Sequence, residues 1–198
     1  MASENKTKTV LMCPPIFFDI EYEINPWMDL KNQVNPKQAA KQWKSIYDTY
    51  TQKLGWDVEL IDPIKGLPDM VFTANGGLVL DGRVILPKFL PKVRQPETPH
   101  FKTWFESAGY PHIYMPKYVF EGQGDALVWN DVIFAGYGIR TDMRSHKEIA
   151  NFSGKKVVSL ELVDSRFFHL DTALTVLNSE TVAFYPKAFS KQSQKNHT

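Results

Sequence analysis

Three stretches of this chain repeat one another in register. Phe72-Thr73-Ala74-Asn75-Gly76-Gly77-Leu78-Val79 is followed by Val84-Ile85-Leu86-Pro87. Phe120-Glu121-Gly122-Gln123-Gly124-Asp125-Ala126-Leu127 is followed by Val132-Ile133-Phe134. Phe168-His169-Leu170-Asp171-Thr172-Ala173-Leu174 is followed by Val182-Ala183-Phe184-Tyr185-Pro186. Phe72, Phe120 and Phe168 stand 48 residues apart, and the same step back from Phe72 reaches Ile24. Repetition at such a period means supersecondary units that bury their apolar faces only against one another. Each unit reads as an apolar strand, a polar turn and a second strand. The turns are Asp81-Gly82, Asn130-Asp131 and Asn178-Ser179, residues that tolerate tight-turn backbones.

Helical patterns separate the hairpins. Ala39, Trp43, Ile46, Tyr47, Tyr50 and Leu54 recur near a 3.6-residue period and predict a helix over Gln38 to Leu54. A second is expected from Thr98, as the capping residue with Pro99 in the first turn, to Ala108. A third runs from Arg144 to Phe152, before Gly154. Strands follow at Val58–Ile61, His112–Met115 and Val157–Leu160, so the unit is hairpin, helix, strand. The copies are expected to pack around a common axis with helices outside.

The repeat also assigns candidate site residues. The position after each phase marker holds Asn25, Thr73, Glu121 and His169. Side chains alternate along a strand, so Thr73 would point with Asn75 and His169 with Asp171. Glu121, Gln123 and Asp125 would share a face unless Gly122 and Gly124 bend the strand. Asp125 stays open between a turn cap and a site residue.

Composition narrows the function classes. Of the 198 residues 43% are hydrophobic and 23% charged, ordinary for a globular protein, and the net charge is +1. Neither nucleic acid nor an anionic membrane is favoured as a partner. No apolar run approaches the roughly 20 residues of a membrane span, and the first residues lack a signal-peptide core. A cytoplasmic location is expected. Cys13 is the only cysteine, so no internal disulfide is possible. It reads as a small buried hydrophobe after the first strand. The histidines at 100, 112, 146 and 197 share no metal-ligand spacing, and neither metal nor cofactor is expected.

Five segments in order resemble the guanidine-modifying superfamily, which includes arginine deiminases, dimethylarginine dimethylaminohydrolases and amidinotransferases. They are Ile24-Asn25-Pro26-Trp27-Met28, Pro68-Asp69-Met70-Val71-Phe72-Thr73-Ala74-Asn75, Phe120-Glu121-Gly122-Gln123-Gly124-Asp125, Gly138-Ile139-Arg140-Thr141-Asp142 and Phe168-His169-Leu170-Asp171. The resemblance implies an α/β fold, a pentein-type propeller of ββαβ repeats. It implies one domain over residues 1–198, C-terminally incomplete, with about three and a half of five units. It also implies hydrolysis of guanidinium C–N bonds in arginine or a methylated arginine through a cysteine-linked amidino intermediate.

In that pattern His169, Glu121 and Asp171 match the catalytic residues. Asn25, Asp69, Asn75, Arg94 and Arg140 match those that bind the substrate. Many members carry aspartate where this chain has Asn75, and the pair Asn25 and Asn75 is similar to the arginine dihydrolase branch, which takes arginine to ornithine, ammonia and carbon dioxide. The family's nucleophilic cysteine lies in a fifth unit without a counterpart here, and Cys13 is in the wrong place to replace it. The chain alone is therefore expected to be inactive, and to self-associate or melt easily as an open propeller. A guanidine-binding module without turnover, and an amidinotransferase, stay open as alternatives. So does a homo-oligomer. A βαβ nucleotide-binding fold is disfavoured, because Gly122-Gln123-Gly124 lacks the third glycine of that fingerprint.

Overall fold

In the computed structural model, which describes residues 8–195, the 48-residue step is a step in backbone conformation. The chain divides into two units. One comprises residues up to Glu23 together with Met28–Thr73. The other comprises Ile24–Trp27 together with the residues from Ala74 onward.

In the first unit β1 (Thr9–Met12) pairs in parallel with β2 (Asp57–Leu60). Between them lies α1 (Pro36–Asp48). It starts two residues before the periodicity suggests, because Asn35 caps it by accepting from the Gln38 amide and Pro36 fits the first turn. A wider π turn, Thr49–Lys53, extends it toward Leu54.

The second unit carries three sheets. The hairpin β3 (Leu78–Leu80) and β4 (Arg83–Ile85) adds β5 (His112–Tyr114) in parallel on the β4 side. The hairpin β6 (Ala126–Trp129) and β7 (Val132–Tyr137) adds β8 (Lys156–Glu161) in the same way. The third hairpin is β9 (Leu174–Val176) with β10 (Val182–Phe184). The helices α2 (Glu97–Ser107) and α3 (Arg144–Ser153) are the crossovers that let the parallel strand return. Phe120, Leu78, Ile85, Ile133 and Ile149 form one buried cluster. Leu160, Leu170, Leu174 and Phe189 belong to another. Each such side chain contributes about 1.5–3 kcal/mol on burial.

Asp81-Gly82 is the expected two-residue turn, with both φ angles positive, 48° and 75°. Several other local expectations are corrected. Asn178-Ser179 instead lies in a five-residue loop in which the Leu177 and Asn178 amides both donate to the Thr181 carbonyl. Thr98 does not cap α2. The helix begins at Glu97 after Pro96, and the Thr98 hydroxyl donates to the Pro87 carbonyl at 3.0 Å. After β10 come a one-turn 3-10 segment at Pro186–Ala188 and a short helix at Lys191–Lys195.

The correction that matters for the site concerns the repeat openings. They are not strands. Thr73–Gly76, Gly122–Gly124 and Leu170–Thr172 are 3-10 turns. In such a turn residues three apart eclipse, so the two-residue alternation fails. Thr73 donates its hydroxyl to the Leu11 carbonyl at 2.7 Å, within the first unit, whereas Asn75 belongs to the second. His169 is buried at 5% exposure, while Asp171 faces solvent.

Candidate active site

The second unit gathers charged and amide side chains where the 3-10 turns meet. Gly122 makes the approach feasible. Its φ is +68°, and a Cβ there would lie 2.7 Å from the carbonyl oxygens of both Ala74 and Asn75. Only glycine combines that backbone with such a contact at little cost. Glu121 and Asp125 bracket the turn, and both side chains run inward at 0% and 1% exposure.

His169 lies between them. Its Nδ1 is 3.2 Å from Asp125 Oδ2, a charge contact too bent for a well-aligned hydrogen bond. Its Nε2 is 3.5 Å from Glu121 Oε2 and 3.4 Å from Asn75 Nδ2. Burial works against charge on the ring, but the Asp125 carboxylate, and after it Glu121, hold the His169 pKa above the ordinary imidazole value against an opposing effect of Arg140.

Each neighbour is itself held. Arg94 grips Glu97 through two 2.9 Å hydrogen bonds from Nε and Nη2. Its Nη1 donates to Asn75 Oδ1 at 3.1 Å, and its guanidinium lies 4.4 Å from the centre of the Phe89 ring. With Oδ1 occupied, Asn75 turns its amide nitrogen to the Glu121 carbonyl at 3.0 Å and toward His169. Arg140 donates to Glu121 Oε2 at 2.9 Å and to the Ile24 carbonyl at 2.8 Å. The Leu90 amide donates to Glu121 Oε1 at 3.0 Å. Asp125 accepts from the Leu170 amide at 3.0 Å and from the Thr141 hydroxyl at 2.7 Å.

This sets two partners around Nε2. When Nε2 carries a proton, the Glu121 carboxylate faces it. When it does not, the Asn75 amide can donate to the lone pair. A nitrogen with a partner in both states suits proton transfer in either direction.

Of the residues singled out in the sequence, Asn75, Arg94, Glu121, Arg140 and His169 come together. Asn25 does so through its backbone neighbour, since Ile24 accepts from Arg140, while its own Oδ1 caps the Trp27 amide at 2.9 Å. Asp69 is buried in the Pro68–Val71 turn of the first unit. Asp171 is exposed, yet protein atoms crowd around it. That crowding raises its pKa to about 6, with Asp125 adding and His169 opposing. The carboxylate against the His169 ring is that of Asp125, not Asp171.

Two members of the network, Glu97 and Thr141, were not singled out in the sequence. Glu97 had a signal, lying three residues after Arg94. Thr141 stands beside Arg140 in a quoted segment, but nothing in its type marks it. Among the described residues no group of three or more His, Cys, Asp and Glu side chains could hold a metal ion. Among the described residues no helix is long and apolar enough to cross a membrane. Cys13 is buried directly after β1, in the first unit.

The family model for eukaryotic N,N dimethylarginine dimethylhydrolase matches residues 20–197. The chain belongs to that family. This places it in the guanidine-modifying superfamily. The N(G),N(G)-dimethylarginine dimethylaminohydrolase of Mycobacterium tuberculosis is 47% identical over 96% of the chain, and the chain spans 62% of that relative. The bifunctional arginine dihydrolase/ornithine cyclodeaminase ArgZ of Synechocystis is 44% identical over 94% of the chain, which spans 27% of it. A crystal structure of the related AgrE of Nostoc, a cysteine-to-alanine variant in complex with L-arginine, superposes with a TM-score of 0.90 at 42% identity, covering 96% of this chain and 29% of that one. The mixed α/β fold is therefore that of the dimethylarginine and arginine hydrolases.

Proposed function

We propose that this chain is the larger part of a hydrolase that cleaves guanidinium C–N bonds of arginine or a methylated arginine. The observation that carries the reading is the His169 imidazole, buried between the Asp125 and Glu121 carboxylates with the Asn75 amide at Nε2. The family match and the L-arginine complex of AgrE support the substrate class.

In the mechanism we propose, a cysteine thiolate adds to the guanidinium carbon and the C–N bond to the leaving amine breaks. His169 gives that amine a proton. Water, deprotonated by the same nitrogen, then attacks the amidino-thioether carbon and the thiolate leaves. When ammonia is the first leaving amine this gives a ureido product. In the dihydrolase reading that product stays bound while a second water cleaves it to ornithine, a second ammonia and carbon dioxide. Glu121 offsets the positive charge of the guanidinium and of protonated His169. Asp171 and Asn75 hydrogen-bond the substrate nitrogens, and Asn25 completes the binding set. Arg140 receives the substrate's carboxylate end beside a shallow cavity of about 290 Å³ bounded by Leu90, Tyr137, Ile139 and Met143. Arg94 acts through its hold on Asn75. Cys13, buried directly after β1, is not read as that thiolate.

The neutral amide at Asn75 favours the arginine dihydrolase branch. A dimethylarginine hydrolase is the second reading, favoured by the family model and the Mycobacterium relative. We also read the repeats as units of a pentein-type propeller in one cytoplasmic domain. The test is to incubate the complete gene product with arginine and with dimethylarginine, and to follow ornithine, citrulline, methylamines and ammonia. Ornithine without citrulline, lost in His169→Gln, is the expected result. No product from any guanidine would leave a binding module without turnover.

A further inference from the structure

Thr141 links the Glu121 backbone to the Asp125 carboxylate beside His169. Its hydroxyl has one proton and two lone pairs. It accepts from the Glu121 backbone amide at 3.2 Å and donates to Asp125 Oδ2 at 2.7 Å. That same Oδ2 faces His169 Nδ1, but at 3.2 Å and out of line. One oxygen thus makes a short bond to a hydroxyl and a longer, bent contact to the imidazole. The other oxygen of Asp125 is fixed by the Leu170 amide at 3.0 Å, so the carboxylate cannot turn to serve both without losing that bond. Thr141 is 4% exposed, and among the described residues its hydroxyl bonds are these two.

We infer that Thr141 is a positioning residue that holds Asp125 back from His169, keeping the ring proton on Nδ1 while leaving Nε2 able to release its own. A carboxylate free to swing fully onto Nδ1 would bind the imidazolium more tightly and trap it in the charged form. The Thr141 bond stops that motion partway. Around the ring the charged groups are Asp125 on Nδ1, Glu121 on Nε2, Arg140 behind Glu121, and Asp171 two residues along. Of these only Asp125 shares an acceptor atom with Thr141. The purpose assigned to this arrangement rests on the amidinohydrolase reading, but its geometry and its test do not.

The test is nitrogen-15 NMR of histidine-labelled protein, with the His169 signals assigned by their loss in His169→Gln. In the wild type, neutral His169 is expected to carry its proton chiefly on Nδ1, which faces the Asp125 carboxylate at 3.2 Å. Thr141→Val is expected to raise the His169 titration midpoint by about one pH unit, the lower end of what a nearby carboxylate achieves. Thr141→Ser, which keeps the hydroxyl, is expected to restore the wild-type midpoint. Asp125→Asn is expected to lower it, and this serves if Thr141→Val does not fold. A wild-type ring protonated on Nε2 when neutral, an unchanged or lower midpoint in folded Thr141→Val, or no change in Asp125→Asn would each overturn the assignment. Turnover is not needed for any of these readings, so their failure is separate from failure of the hydrolase proposal.

Discussion

Removing the Glu97 carboxylate should be among the most damaging single changes in the second unit. Arg94 and Glu97 are 3% and 0% exposed at their side chains and joined by two 2.9 Å hydrogen bonds. Glu97→Ala takes from this buried guanidinium the carboxylate that accepts two of its hydrogen bonds. Breaking one partner of a buried pair costs about 3–5 kcal/mol, much of it the penalty of the charge left behind. Against a total stability of about 5–15 kcal/mol that is a large share. With roughly 2–4 °C per kcal/mol for a chain of this size, Tm should fall by about 10 °C. Thermal melts followed by circular dichroism measure the Tm, and urea titration, read as the midpoint at constant slope, measures the loss of stability. The double variant Arg94→Met/Glu97→Leu removes both charges and should recover most of the loss, because apolar replacements of a buried pair are often neutral. A Glu97→Ala protein within about 1 kcal/mol of wild type, or a double variant no better than the single, would refute the argument from buried charge.

Gly122→Ala should cost on the order of 3 kcal/mol, because the new methyl meets two backbone carbonyls at 2.7 Å in a left-handed conformation. Gly82→Ala has the same kind of backbone, with φ at +75°, but nothing within 4 Å of the added carbon. It should cost only about 1 kcal/mol, and equal losses in urea melts would show that the close approach does not matter. Asp171→Asn should stabilise the fold at neutral pH. The Asp171 pKa rises on folding from 3.8 to about 6, so the carboxylate form is the disfavoured one. Its protonated form contributes stability that is fully present below the unfolded value and lost as pH rises through about 6. Because the group is solvent-accessible, the gain is discounted to about 1 kcal/mol. It should vanish below the unfolded pKa, and a gain that is independent of pH would contradict it.

How much of this was legible in advance varies by residue. Glu121 and His169 could be found because a repeat places equivalent positions in equivalent surroundings, and phase survives whatever the local backbone does. Asp125 could not be assigned, because choosing between it and Asp171 as the partner of His169 required the backbone type at the repeat opening. The alternation of a strand points to Asp171. The 3-10 turn, with Gly122 at positive φ, turns Asp125 inward instead. Arg94 was visible as a candidate, but its hydrogen bonds to Glu97 and Asn75 were not, since local spacing says nothing about which acceptor sits within 3 Å.

By itself, then, the order of residues determined the repeat, its period, the hairpins and crossover helices, and the family, because periodic burial and turn chemistry are local and leave a pattern along the chain. Tertiary structure alone decided which side chains touch. Thr141, Asp125 and His169 stand in separate segments, the β7–α3 connection and the flanks of two 3-10 turns, and meet because those segments converge. Hydrogen bonds are short and directional, so the protonation chemistry of the imidazole depends on differences of tenths of an ångström that no spacing rule encodes.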